Sequence, residues 1–472
     1  MRMDPLHNDT YKTSFESKFD EKFDMMFGEL YEFIQGDYTD AANAQIAVWE
    51  DRAPARHPLL LHCGLPSEVA ARFPDYNAGE IHADKEKMLL HGMKQMLATA
   101  MSGMQAAPSL RADMGCGIYP SLFPGIKPRL FYDDRMPWVV DHLSGGEIRR
   151  LREKDIVFTD EFKIALEHMA YQAEKIGGSG AFVYPLDLQS PFDMAHLVYG
   201  DEFFYSLYDD PELIHHLLEL CVHAIILGHD ECMKLIPGSD NVVAHYNELV
   251  MPRALGGIKI SEDTSTLVCA DHIDEYVMPY TDRVLRHTGG GYIHYCGRND
   301  HLLRRVLEHE LVRGLNFGNP DKHNMDAVLR RTSEAGKVYY GNLPMSREDI
   351  TGSTSADSGG GGSGGSRGSG GDGGGMRRGQ WQSHRDAAGS NASNVSNASS
   401  ASNASVGVSS GSASGEVGNG FEKYLHYFKR CIDSATASDG KCRLLLSMHA
   451  PTDERDCVIE AWHKACNDTC YH

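Results

Sequence analysis

No run of about 18 apolar residues occurs in this 472-residue chain, so the sequence offers no segment able to cross a bilayer as a helix. A secretion signal is lacking too, because Met1 to Thr10 is polar and mixed in charge and has no basic start followed by an apolar stretch. These absences predict a soluble, cytoplasmic protein without membrane contact. An excess of positive charge is also missing. With 45 Lys and Arg against 66 Asp and Glu, the formal charge is −21, the wrong sign for a surface that grips nucleic acid or an anionic membrane. Small neutral or cationic substrates remain open. Paired cysteines are absent as well: the 11 present are an odd number scattered from Cys63 to Cys470, which suits reduced thiols better than a disulfide framework. Asn-x-Ser sequons at Asn391, Asn394, Asn397 and Asn403 read as accidents of composition in a chain without a secretion signal.

Between Thr351 and Gly420 the chain turns to Gly, Ser, Asn and Ala. That leaves too little apolar surface to offset the entropy of ordering it, so this insertion is predicted to be disordered. Its glycine run from Gly359 is not a phosphate-binding loop, since no strand precedes it and no Lys-Ser/Thr helix start follows. Arg377 and Arg378 beside Trp381 offer a weak nucleic-acid contact, against which stands the plainer reading of a solvated linker. Periodic apolar sequence resumes at Phe421, so the insertion interrupts one domain and does not join two.

Elsewhere, strand-like runs alternate with helical stretches, the pattern of a parallel α/β fold. The runs are Pro108–Asp113, Ala181–Asp187, Val242–Asn247, Gly257–Glu262, Tyr292–Cys296, Gly314–Phe317, Val338–Gly341 and Arg443–Met448, with helices such as Pro211–Leu227 and Ala270–Arg286 among them. Eight such strands predict a (β/α)8 TIM barrel over 106–350 and 421–472, with the chemistry at the carboxyl ends of the strands. Residues 1–105, with helical stretches at Phe15–Ile34 and Lys85–Met101, are expected to form an N-terminal helical cap. Polar or metal-capable residues follow nearly every strand: Asp113, Asp187, Asn247 with Glu248, Glu262 with Asp263, His294 with Cys296, Asn316 with Asn319, Asn342, and Ser447 with His449.

His294 and Cys296 are the most informative of these. Side chains alternate along a strand, so the two point the same way and offer one ion an imidazole nitrogen and a sulfur. The ordinary alternative is a buried cysteine beside a hydrogen-bonded core histidine. Tyr295 faces away and reads as packing.

The ordered set Arg111-Ala112-Asp113-Met114-Gly115, Tyr184-Pro185-Leu186-Asp187-Leu188-Gln189-Ser190-Pro191-Phe192-Asp193, Gly257-Ile258-Lys259-Ile260-Ser261-Glu262-Asp263, Glu275-Tyr276-Val277-Met278-Pro279-Tyr280, His294-Tyr295-Cys296-Gly297 and Gly314-Leu315-Asn316-Phe317-Gly318-Asn319-Pro320 resembles the uroporphyrinogen decarboxylase superfamily. The resemblance covers most of residues 80–350 and about 421–465, and implies the barrel reached above. Within that superfamily, a porphyrinogen decarboxylase carries an Arg-rich motif near its amino terminus, which Arg52 and Arg56 do not reproduce. The motifs are similar instead to the cobamide-linked zinc methyltransferase branch, in which a His-x-Cys pair and a later cysteine bind zinc. The resemblance places that third ligand near Met448-His449, so His449 is the candidate, with Cys442 and Cys116 behind it.

What the resemblance implies is a zinc-dependent methyltransferase moving a methyl group between a small substrate or thiol and a corrinoid. No corrinoid-carrying module is visible in the chain, so the carrier is expected to be a separate partner protein. Glu262, Asp263 and Glu248, on neighbouring strand ends, are the acid/base candidates, although each has an ordinary reading as a solvated or salt-bridged carboxylate. Asp187, Asn247 and Asn316 are candidates for orienting substrate. Two other readings stay open: a metal-free decarboxylase using Asp187 or Asp263, and a barrel that binds without catalysis.

Overall fold

Short apolar runs bounded by glycine and polar residues form the strands of the computed structural model, which describes residues 9–54, 56–131, 135–346, 349 and 419–469. The 351–420 insertion lies outside the described residues apart from Asn419 and Gly420, as do the sequons, Arg377, Arg378, Trp381 and Cys470. The strands that matter here are β1 Leu59–Cys63, β2 Ser109–Arg111, β3 Phe182–Tyr184, β4 Val242–His245, β5 Leu249–Pro252, β6 Lys259–Ser261, β7 Gly291–Tyr295, β8 Val312–Phe317, β9 Val338–Gly341 and β10 Leu444–Ala450. Each of the eight strand segments expected from the sequence overlaps one of them.

Six strands form one sheet in the order β1-β10-β9-β8-β7-β6, every pairing parallel. β2 pairs with β3 in parallel, and β4 with β5 antiparallel. The hydrogen bonds therefore form a six-stranded parallel sheet and separate pairs, where the sequence suggests a closed ring of eight. Among the described residues no ladder joins β1 to β2, β3 to β4 or β4 to β6. A single bridge, Gln189 to Ser261, ties the segment after β3 to β6. The reason at β4 is local. The chain turns straight back through Tyr246–Glu248 into β5, and the Gln45 side chain takes up the backbone of that hairpin, accepting from Val250 N at 2.7 Å and donating to Glu248 O at 3.1 Å.

The amino-terminal segment also differs from a purely helical cap. Its run Leu59-Leu60-Leu61-His62-Cys63 is β1, paired residue for residue with β10 from Leu59↔Leu446 to Cys63↔Ala450. Helix Thr39–Trp49 packs against the β4–β5 hairpin, and the Trp49 indole N–H donates to Val250 O at 3.0 Å. Leu60, Tyr292, Val338, Tyr340 and Leu445, alternate residues of their strands, meet Trp49, Leu249 and Met251 in one buried cluster. The opposite strand faces join the larger core under the helices. This alternation assigns His62, Lys259, His294 and Asn316 to the face that carries Leu60, Tyr292 and Tyr340.

Helix Pro211–Leu235 begins as the sequence predicts, with Pro211 in the first turn and the Asp210 carboxylate accepting from Leu213 N. At 25 residues it is long and apolar enough to span a membrane by composition, but 56% of its most apolar window is buried inside the protein. The stretch expected as one helix from Ala270 to Arg286 passes through a π segment, Ile273–Val277, before continuing as Met278–Thr288. Pro279 explains the break: it has no N–H, and its ring crowds the carbonyl one turn back, which widens the helix at that point.

Candidate metal centre at the carboxyl ends of the strands

β6 and β7 run side by side with Ser261 opposite His294, so the residues that follow them, Asp263 and Cys296, emerge together. Two contacts fix Asp263. Its own N–H and that of Thr264 donate to the two oxygens of the Asp193 carboxylate at 2.7 and 2.8 Å, and its Oδ1 accepts from Cys296 N at 2.5 Å. Cys296 is then turned by Gly297, whose φ of 90° lies in the left-handed region that favours glycine. The N–H of Gly297 donates to Asn319 Oδ1 at 2.9 Å.

His294 is held from the other side. Its Nδ1 sits 2.5 Å from Asn316 Oδ1 while Asn316 Nδ2 donates to Tyr340 O at 2.6 Å. With the amide oriented by Tyr340, Nδ1 carries the ring proton and Nε2 presents a lone pair. That nitrogen lies 3.8 Å from Cys296 Sγ and 3.9 Å from Asp263 Oδ1. Ligand atoms of the three residues all fall within 4.8 Å of one another.

A tetrahedral zinc with Zn–S of about 2.3 Å and Zn–N of about 2.0–2.1 Å separates its ligands by roughly 3.5 Å. The two distances from His294 Nε2 are therefore a few tenths of an ångström wider than those a zinc ion draws together. Three protein ligands of mixed N, S and O type also leave a fourth position for substrate. Burial, with the Asp263 carboxylate beside it, pushes the Cys296 thiol up, and burial, with Lys259 nearby, pushes the His294 imidazole down. The histidine is thus neutral and fit to ligate, and a divalent ion would reverse the penalty on the thiolate.

His449 does not complete this set. β9 and β8 lie between its strand and β7, so it stands three strand spacings along the sheet, roughly 14 Å. Its ring packs against His62 with centroids 4.9 Å apart. The third donor that the structure brings within 4.8 Å of His294 and Cys296 is Asp263, where the resemblance suggested His449. Cys442 precedes β10 at the amino end, 3.7 Å from His57 Nε2. Cys116 lies just past β2, where burial and Asp187 push its thiol up.

The remaining candidates separate by environment. Glu262 is 1% exposed and accepts from the Ser265 hydroxyl at 2.5 Å and from the Thr281 hydroxyl. Burial raises its carboxyl to about 7 against those hydrogen bonds, and its neighbours are side chains of the interior. Asp187 pairs with Arg111 at 2.8 Å, and Arg111 also holds Asp113 at 2.6 Å and lies over the Tyr246 ring at 5.3 Å. A small hollow adjoins Asp187, lined also by Tyr184, Tyr246 and Lys259. Asn316 orients His294. The side chain of Asn247 lies outside the described residues, and Glu248 lies beside His62.

Four residues that shape these surroundings, Asp193, Arg111, Lys259 and His62, carry no signal in the sequence that gives them a role, although the first three fall within the motifs quoted above. Asp193 is the one with a local cue: it is the third residue of a helix begun by Ser190-Pro191, whose capping serine accepts from Asp193 N.

No family model and no curated protein matches the sequence. Among solved structures, a methyltransferase from Methanosarcina mazei is similar, at 14% identity over 64% of this chain and 82% of that chain, with a TM-score of 0.49.

Proposed function

We propose that this chain is a zinc-dependent methyltransferase, with the metal held by His294, Cys296 and Asp263, that moves a methyl group between a small substrate or thiol and a corrinoid carried by a separate protein. The observation that carries the reading is the convergence of those three donors, from two adjacent strand ends, within 4.8 Å of one another. The motif resemblance supports the choice of methyl transfer and of a corrinoid carrier. We also read the parallel sheet and the β4–β5 pair as parts of one interrupted TIM barrel wall, because alternate residues of β5 join those of the sheet in a single inner cluster. On that reading the site opens at the barrel mouth, where such folds keep their chemistry.

Zinc bound here would favour the ionised form of a sulfur ligand, or polarise a heteroatom that carries the methyl group. The protein's own part is orientation and charge. Asn316 fixes the ring of His294 and the proton on Nδ1. Asp193 holds the backbone that presents Asp263, so that oxygen is placed before any ion arrives. Asp187, which shares Arg111 with Asp113, borders the hollow beside the strand ends and is the group we assign to orienting a small polar substrate.

Metal analysis of the purified protein tests this reading, with Cys296→Ser and His294→Ala as controls. The expected result is one zinc per chain in the parent and a loss of it in both variants, with transfer of methyl from a methylated corrinoid to a thiol lost in parallel. A parent protein that binds no zinc removes the proposal.

A further inference from the structure

Beside the metal candidates, two opposite charges border one small hollow without neutralising each other. The bridge from Gln189 to Ser261 is parallel, with Ser190 N donating to Ser261 O at 2.8 Å and Ser261 N to Leu188 O at 3.4 Å. Asp187 and Lys259 each stand two residues before that bridge, so the two segments present them abreast, and both line the hollow. The Asp187 carboxylate is turned to Arg111, which it meets through Oδ2, and Arg111 is shared with Asp113. Among the described residues the Lys259 ammonium makes no hydrogen bond and no ion pair. It is half-buried, and a cation drawn out of water without a partner costs free energy. Lys259 also lies on the inner face of β6, opposite Tyr292 and one side-chain row before the Ser261–His294 pair. Its charge reaches the metal candidates: burial and then Lys259 push the His294 imidazole down, while Asp263 and Asp187 oppose them.

The rest of the lining is polar but neutral. His229 and His245 are each 2% exposed, and Nε2 of both is buried without a hydrogen-bond partner among the described residues. Such unpaired nitrogens carry a desolvation cost that a polar ligand or a water in the hollow relieves. Burial above all holds both rings uncharged, His229 at about 4 and His245 at about 3. Tyr184 and Tyr246 close the hollow, and burial pushes both hydroxyls up. The charged groups here are therefore Lys259 and Asp187, with Arg111 and Asp113 behind them, two cations against two carboxylates. A ligand of one sign would unbalance that set, whereas a ligand carrying both signs would not.

We propose that this hollow takes the head group of a sulfur-bearing α-amino acid, its carboxylate on the Lys259 ammonium and its ammonium on the second oxygen of Asp187, which leaves the sulfur to the metal candidates. The inference rests on the methyl-transfer reading only for the sulfur, since the head-group site stands on Lys259, Asp187 and the hollow they border. Its small size admits a head group and keeps the rest of the ligand outside, toward His294. Opposite charges on opposite walls also give the head group one orientation, because reversing it would set carboxylate against carboxylate and ammonium against ammonium. This assigns the small substrate or thiol of the proposed reaction to a chemical class, an amino acid with a thiol or a methylated sulfur in its side chain.

Calorimetric titration of the full-length protein tests the assignment with thioethers, whose sulfur is a weak metal ligand, so that the head group dominates binding. L-methionine and S-methyl-L-cysteine, which differ in reach, are compared with methylthiopropionate, which lacks the ammonium group, and methylthioethylamine, which lacks the carboxylate. At least one of the two amino acids is expected to bind about tenfold or more tightly than either analogue, the size of a charge-assisted contact. Lys259→Met should erase the advantage over methylthioethylamine, and Asp187→Asn, which keeps an oxygen for Arg111, the advantage over methylthiopropionate. The ranking in the parent protein decides even where a variant fails to fold. Analogues that bind as tightly as the amino acids overturn the assignment. So does methylthiopropionate alone matching them, which would make Lys259 a site for simple anions, and so does a hollow that takes none of the four and holds only water. The titrations are run on zinc-loaded and zinc-free protein. Head-group selectivity in protein that binds no zinc sinks the metal reading and keeps this one, while bound zinc without selectivity does the reverse.

Discussion

Single side chains decide the chemistry of the metal candidate, and Asn316 is the clearest case. It is not a ligand, yet its contact at 2.5 Å assigns the proton of His294 to Nδ1. Outer-shell partners of this kind are worth about 10–100-fold in metal affinity. Asn316→Ala is therefore expected to weaken zinc binding by that factor in a chelator competition while leaving one site per chain. An unchanged affinity would place the ring under other control. Glu262 makes a different prediction. Its folded value of about 7 stands above an ordinary 4.5, so between those limits the folded state binds the extra proton. Stability from this group is complete below the ordinary value and is lost as pH rises through about 7. The loss is on the order of 3 kcal/mol. Glu262→Gln should flatten that part of the stability curve in denaturant titrations run at several pH values. A curve of the same slope would mean that Glu262 is ionised in its hydroxyl cage.

Whole elements set where those side chains meet. The loop after β6 depends on Asp193, which supplies acceptors for two backbone N–H groups. Asp193→Ala leaves both donors unsatisfied at about 1–3 kcal/mol each and frees Asp263 to swing away. Lower stability together with weaker zinc binding, read by denaturation and metal titration on one preparation, is the expected pair of effects. Loss of stability alone would detach Asp263 from the metal site. The same elements show what the sequence reveals and what it hides. Eight strands are legible because turn residues flank short β-branched or aromatic runs, as Gly290 and Gly297 do around β7. β1 is not, because Leu59-Leu60-Leu61 carries no alternation to tell strand from helix. The His294–Cys296 pair follows from alternation alone. Asp263 as its partner does not, because pairing β6 with β7 in the register Ser261↔His294 is a tertiary fact. Resemblance to a later ligand draws His449 toward the site, and the strand order moves it to the neighbourhood of His62.

Across the whole molecule, the described residues flanking the 351–420 insertion are Asp349 and, on the other side, helix Asn419–Ala435. The two flanks are joined to each other. Arg430 on the returning helix pairs with Asp349 at 2.7 Å and with Asp326 at 2.7 Å, and Asp349 is fully buried. The anchor lies outside the insertion, so replacing residues 355–415 by a short glycine–serine linker is expected to move the thermal midpoint by only a few degrees. Arg430→Ala should lower it more, because Asp349 is then a buried charge without its partner. A large loss from the linker replacement would assign the insertion a structural part.

The central claim is that His294, Cys296 and Asp263 hold one metal ion. Anomalous diffraction at the zinc absorption edge, from crystals of the full-length protein grown with zinc, tests it most directly. The predicted result is a single strong peak about 2.0–2.4 Å from His294 Nε2, Cys296 Sγ and an Asp263 oxygen. No peak at these three residues, or one seated on His62 and His449 instead, would contradict it.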